Sequence, residues 1–192
     1  MPTADVGGLE LHYETRGNGP PLVLLNGMSQ STVNWMTQAR RLAESFTVIS
    51  YDARGQGRSP VGPVPLGLDV HVRDLATLLD EIGVGTAHLA GFSFGARLAL
   101  AFAARVPHRV GRLVLTSTGD GDSAVRRAIV RSWLEVLRAG GVTAMAWAAL
   151  PAILGEEFLR DHEEQLPAII RASAHRNSVD GLTALLEGYK AF

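Results

Sequence analysis

The 192-residue chain has no cysteine and a single lysine, Lys190. Without cysteine there can be no disulfide, no thiol nucleophile and no thiolate-ligated zinc, so any covalent chemistry must use oxygen or nitrogen. The composition is compatible with a reducing compartment, and the expected location is the cytoplasm. An excess of charge of either sign is missing too. The 18 basic and 19 acidic residues give a formal net charge of −1, which leaves no electrostatic footprint for nucleic acid or for an anionic membrane. No apolar run approaches the length needed to span a bilayer, and residues 1–14 lack the basic start and apolar stretch of a signal peptide, so no membrane partner is expected. Histidine and carboxylate residues nowhere cluster at metal-ligand spacing, and neither a metal nor another cofactor is expected.

What the chain does contain is an alternation of apolar runs. The length suits one domain with a real core and a helical appendage. Ala4 to Val6 and Leu9 to Thr15 read as an edge hairpin, because Leu9, Leu11 and Tyr13 alternate with polar residues. Leu22 to Leu25 and Phe46 to Ser50 read as strands buried on both faces, with a helix from about Thr32 to Ser45 between them. Leu68 to Ile82 is an amphipathic helix whose core face is Leu75, Leu78, Leu79 and Ile82. Thr86 to Gly91, Phe94 to Arg105 and Arg112 to Thr116 continue as strand, helix and strand. The fold class is therefore α/β, a mostly parallel sheet with helices on both faces, over residues 1–122. Residues 123–192 are helical alone (Ala124 to Arg138, Val142 to Ile153, Glu156 to about Ile170, Val179 to Tyr189) and read as a cap.

Chemistry concentrates at Gly91-Phe92-Ser93-Phe94-Gly95. A serine between two glycines at a strand-to-helix junction is how a hydroxyl is presented on a strained turn, and the alternative is a tight turn with an inert serine. The helix N-terminus beyond it favours negative charge, and the N–H of Phe94 is placed to stabilise an oxyanion. The second donor is expected from Asn26-Gly27-Met28, specifically the N–H of Met28, unless Gly27 merely starts a turn and Met28 packs inward. Asp52 to Ser59 carries a carboxylate, a guanidinium and glycines suited to knitting a strand end to a helix start. It also looks superficially like a phosphate loop, but no Gly-Lys-Ser/Thr enters a helix here.

Together these pieces resemble the α/β-hydrolase superfamily: Leu25-Asn26-Gly27-Met28 as its oxyanion loop, Asp52-Ala53-Arg54-Gly55-Gln56-Gly57-Arg58-Ser59 as its Asp-x-Arg-Gly-x-Gly-x-Ser loop, and Gly91 to Gly95 as its nucleophile elbow. Asn26 followed by Trp35 looks like the 3-oxoadipate enol-lactonase branch and related small esterases. The resemblance implies that Ser93 is the nucleophile and that Met28 and Phe94 form the oxyanion hole. It also implies two more strands after the cap, bearing an acid and a histidine. This chain ends at Lys190-Ala191-Phe192, where the first of them would begin, so the C-terminal part of the sheet is expected to be absent.

Of the six histidines, His12, His71, His88 and His108 are expected to lie away from the serine, with His71 opening a surface helix. His162 and His175 belong to the overhanging cap and read as solvated imidazoles unless one meets Ser93. Asp120 and Asp122 follow the strand after the Ser93 helix, a position from which some family members supply the acid. Without a partner histidine they read as loop or cap carboxylates, with Asp120 the alternative acid. Trp133, Leu137, Trp147, Leu150 and Phe158 either line an apolar substrate pocket or pack in the cap.

The resulting expectation is a serine-dependent hydrolase acting on an ester, lactone or thioester of a small molecule. Its base and acid would come from a partner chain or a longer parent. The alternative is a non-catalytic remnant that acts as a binding module. An open sheet edge would let either self-associate or pair with another chain.

Overall fold

The unbroken aliphatic run Leu22 to Leu25 becomes β3 (Pro21–Leu25), a strand flanked on both sides and buried on both faces. The computed structural model describes residues 2–63, 65–119 and 123–189. Among these, β1 (Thr3–Asp5), β2 (Glu10–Arg16), β3, β4 (Thr47–Tyr51), β5 (Ala87–Phe92) and β6 (Val110–Thr116) form one sheet in the order β1-β2-β4-β3-β5-β6. The β1–β2 and β2–β4 pairs are antiparallel; β4, β3, β5 and β6 run parallel. The chain goes from β3 to β4 on one side and then returns to β5 on the other. The switch point of the sheet therefore lies between β3 and β5, where open α/β sheets leave a crevice beyond their strand ends.

Helices cover both faces, as the alternation of runs implies. Leu22, Leu24 and Val48 pack on one side against Ala39 of α1 (Met36–Leu42). Val23, Leu25, Ile49 and Leu89 pack on the other against α2 (Leu68–Glu81) and α3 (Phe94–Arg105). The helix expected over Thr32 to Ser45 is shorter, a 3-10 turn at Thr32–Trp35 followed by α1. The Asn34 side chain accepts the Ser31 N–H at 3.0 Å, which satisfies a donor at the start of that turn.

The cap consists of α4 (Ala124–Ile153), α5 (Glu156–Asp161), α6 (Leu166–His175) and α7 (Val179–Tyr189). The single helix expected from Glu156 to Ile170 is two, because Pro167, which has no N–H to donate, occupies the first turn of α6. By length and composition α4 could cross a membrane, contrary to the reading of apolar runs. It is broken at Gly141 (φ 73°), however, and packs on α6 and α7. Cap and core share one apolar cluster: Leu66, Val70 and Phe94 meet Leu134, Leu137, Met145, Leu182 and Leu186. Residues 120–122, where the expected boundary and Asp120 fall, lie outside the described residues.

β6 is exposed on both faces, unlike the other parallel strands. Leu113, Val114 and Leu115 are 36 %, 56 % and 37 % accessible. A strand of this composition in a parallel sheet is normally covered on both faces.

Candidate active site

Each group of interest stands at the C-terminal end of a parallel strand. Ser93 ends β5 and caps α3, with φ 53° and ψ −110°, outside the regions that an L-residue adopts without strain. Its N–H donates to the Thr116 carbonyl at 2.9 Å, and its carbonyl accepts from Ala96 and Arg97 at 3.1 and 3.2 Å. The turn thus draws β5, β6 and α3 together and leaves the serine half-buried. The flanking glycines are sterically required. A Cβ at Gly91 would lie 2.5 Å from the Gly95 carbonyl carbon and 2.6 Å from the Ala96 Cα. At Gly95 it would lie 2.5 Å from the Leu25 carbonyl carbon and 2.7 Å from the Asn26 oxygen.

Across the switch point, the loop after β3 is held by its own side chains. Asn26 Nδ2 donates to the Tyr51 carbonyl at 2.7 Å, tying the ends of β3 and β4 together. The Gly27 N–H donates to Gln30 Oε1 at 2.8 Å and the Gln30 N–H returns to the Gly27 carbonyl at 3.2 Å. The Gly27 N–H is therefore engaged, while the Met28 N–H has no intramolecular acceptor among the described residues. The Met28 side chain packs on the cap cluster, and Ser29 follows at φ 61°. Ser117, just past β6, has φ 52°; these two and Ser93 are the non-glycine residues with positive φ among the described residues.

The Asp52 loop knits the end of β4 to the elements around it. Asp52, 1 % accessible, accepts the Thr32 N–H on Oδ1 at 2.6 Å and the Arg58 N–H on Oδ2 at 2.9 Å. Burial pushes its carboxyl above the ordinary value, opposed by those two hydrogen bonds and by neighbouring positive charge. Gly57 (φ 55°) lies against it so closely that a Cβ there would be 2.5 Å from Asp52 Cγ. Arg54 holds Asp74 of α2 through two bonds, Nε to Oδ2 at 2.6 Å and Nη2 to Oδ1 at 2.7 Å, with both side chains buried.

No histidine nitrogen hydrogen-bonds the Ser93 hydroxyl among the described residues. His12 lies within β2 beside Arg58 Nη1 at 3.1 Å, and His88 packs edge-on against Phe46. His162 stacks on Phe158, and His175 lines a cavity of about 260 Å³ with Gly55, Gly57, Ser59 and Arg176. His71 departs from the surface position expected of it. It is 1 % accessible and packs edge-on against Phe94 at 5.1 Å, and neither ring nitrogen has a hydrogen-bond partner among the described residues.

Burial lowers the His71 pKa to about 4 from 6.5, with the Arg54 charge acting in the same direction. Because the folded pKa is depressed, the native state binds fewer protons. Its stability is full above pH 6.5 and falls as pH drops from there toward 4. At pH 4.5 the expected loss from this group is on the order of 2 to 3 kcal/mol. Urea midpoints of the wild type and His71→Leu at pH 7.5 and 4.5 check it: the variant should lose clearly less on acidification, and equal losses would refute the assignment.

Of the five residues considered for a pocket, Leu137 and Trp133 pack in the shared cluster, Leu150 is half-buried, and Trp147 and Phe158 are exposed. Two contributors gave no local signal. Gln30 acts only through the turn it closes, and Asn177 reaches the loop from the cap, with its Nδ2 donating to the Ser29 carbonyl at 2.9 Å.

The sequence profile of the alpha/beta hydrolase fold family matches residues 20–173. The chain belongs to this family. Among the curated relatives of this α/β hydrolase, the protein named "Putative carbamate hydrolase RutD" of Azorhizobium caulinodans is 37 % identical over 128 residues, 66 % of this chain and 48 % of that protein. Among solved structures, the enol-lactonase from Burkholderia xenovorans LB400 superposes with a TM-score of 0.87 at 28 % identity, covering 99 % of this chain and 74 % of that one. A thermophilic esterase from Thermogutta terrifontis superposes at 0.83 with 30 % identity, covering 98 % and 70 %. The α/β hydrolase chain thus spans about half the length of its first curated relative and about three quarters of these two solved structures.

Proposed function

We propose that the chain is the Ser93-bearing part of a serine-dependent hydrolase that cleaves an ester, lactone or thioester of a small molecule. The observation that carries this reading is the strained Ser93 turn at the switch point, facing a loop whose Met28 N–H has no intramolecular acceptor. Ser93 Oγ attacks the acyl carbon, and the carbonyl oxygen gathers negative charge between the N–H groups of Met28 and Phe94 at the N-terminus of α3. The names of the relatives, carbamate hydrolase, enol-lactonase and esterase, share attack at an acyl carbon carrying an oxygen or nitrogen leaving group.

A neutral hydroxyl needs a base to take its proton. Base and acid are assigned to polypeptide other than the described residues, on a partner chain or a longer parent, with Asp120 the alternative acid within this sequence. The same reading has no metal or other cofactor and a cytoplasmic location.

The exposed faces of β6 favour a second reading, a non-catalytic binding module that self-associates or receives another chain along that strand. One experiment separates the two. The chain is treated with a fluorophosphonate and a p-nitrophenyl ester, alone and with a supplied C-terminal segment of a longer relative, and its solution mass is measured. Covalent labelling at Ser93 that disappears in Ser93→Ala is expected. Ester turnover by the chain alone should stay within the roughly 10³- to 10⁴-fold over water that an oxyanion hole and binding provide without a base. Absence of labelling under every condition, with an oligomer in dilute buffer, would overturn the hydrolase reading in favour of the module.

A further inference from the structure

The cap holds the loop after β3 in two ways, through the Met28 side chain packed on its apolar cluster and through hydrogen bonds from Asn177. Asn177 stands between α6 and α7, 148 residues from Ser29 in sequence, and its Nδ2 donates both to the Ser29 carbonyl and to the Ser173 carbonyl, each at 2.9 Å. Asn177 is itself anchored to the core, because it forms an isolated antiparallel bridge with Gln56 of the Asp52 loop. Close by, α7 and the same loop approach at two glycines: a Cβ on Gly181 would lie 3.0 Å from the Gly55 carbonyl carbon. The cap therefore cannot slide here without breaking backbone contacts.

We propose that Asn177 is a positioning residue that fixes the Met28 N–H from the cap, so that this donor stays aimed at the substrate's carbonyl oxygen. The proposal rests on the oxyanion role given to Met28 above. The turn Gly27 to Gln30 is closed on one side by the Gly27–Gln30 pair of bonds, and on the other Asn177 is the residue outside the turn that hydrogen-bonds the Ser29 carbonyl among the described residues, beside the Met28 side chain packed on the cap. Ser29, between these two restraints, is held at φ 61°, a conformation that serine leaves when nothing retains it. With the Ser29 carbonyl released, the turn relaxes and the Met28 peptide rotates with it.

The amide suits the task for a reason visible at its other end. Asn177 Oδ1 is buried and accepts no hydrogen bond from the described residues, so the contribution of the side chain lies in its two donated hydrogens. Aspartate has the same shape, no donor, and a charge facing two carbonyls.

The test is amide exchange in the ¹⁵N-labelled chain, comparing wild type with Asn177→Ala and Asn177→Asp. Exchange at Gly27 and Gln30 should accelerate roughly tenfold in Asn177→Ala, the worth of one neutral hydrogen bond, and further in Asn177→Asp. The Met28 cross-peak should move in both. The amides of Ser93, Ala96 and Arg97, held by bonds independent of the cap, should keep their rates. Unchanged exchange at Gly27 and Gln30 in both variants would overturn the proposal, and so would equal acceleration of the Ser93-turn amides, which signals general loosening. A benzeneboronic acid adduct on Ser93 of the wild type separates this from the reading beneath it. If the loop responds to the Asn177 variants but the adduct leaves the Met28 cross-peak unmoved, Asn177 stands as the clamp and the oxyanion role of Met28 falls.

Discussion

Gly95→Ala is expected to destabilise the chain by about 4 kcal/mol or more, enough to leave much of it unfolded at 25 °C. The added methyl is small; what it meets is backbone. It would fall on the Leu25 carbonyl group and the Asn26 oxygen, at the end of β3. That strand is paired with β4 on one side and β5 on the other, so neither neighbour can give way without breaking a ladder. Gly85→Ala is the control, since a Cβ there meets nothing within 4 Å and the residue needs no positive φ. Urea denaturation followed by far-UV circular dichroism should show Gly85→Ala within about 0.5 kcal/mol of wild type. A Gly95→Ala variant equally close to wild type would mean that β3 and α3 are not packed as described.

Arg54→Met is the second large effect, expected to cost about 3 to 5 kcal/mol because it strands the Asp74 carboxylate in a buried site. The loss should be smaller at pH 5 than at pH 8. Burial already raises the Asp74 carboxyl above its usual value, and without the Arg54 guanidinium it rises further, so protonation relieves the penalty as pH falls. The double variant Arg54→Met, Asp74→Leu should recover most of the lost stability, because two apolar side chains of similar volume remove both charges. Failure of the double variant to recover would show that the pair holds the β4 loop against α2 in a way that apolar packing cannot replace.

These residues also show which parts of the molecule were legible in the sequence. Leu22 to Leu25 and Phe46 to Ser50 announce buried strands because a strand covered on both faces shows little polar side, and β3 and β4 are buried accordingly. The Ser93 turn and the Asp52 loop are visible because their glycines are local steric requirements. His71 was misread for the opposite reason. The spacing of Leu75, Leu78 and Leu79 describes the face of α2 that meets the sheet, whereas Val70 and His71 are buried by α3 and the cap, which no periodicity within α2 records. Asn177 escaped for a related reason, since its bond to Ser29 joins two loops that only the folded cap brings together. β6 has the composition of an interior strand, but it is the last strand of the sheet among the described residues and keeps Leu113, Val114 and Leu115 exposed, in line with the open edge that the sequence implies.

The three serines with positive φ all stand where parallel strands end, at Ser29 after β3, Ser93 after β5 and Ser117 after β6. Each such conformation carries a strain of about 1 to 3 kcal/mol, so this one rim of the sheet is a reservoir that lowers the melting temperature of the whole domain. For protein engineering the three positions are unequal. Glycine at 29 or 117 would release strain and raise thermostability without removing a reacting group, whereas at 93 the same relief would delete the hydroxyl for which the turn is bent.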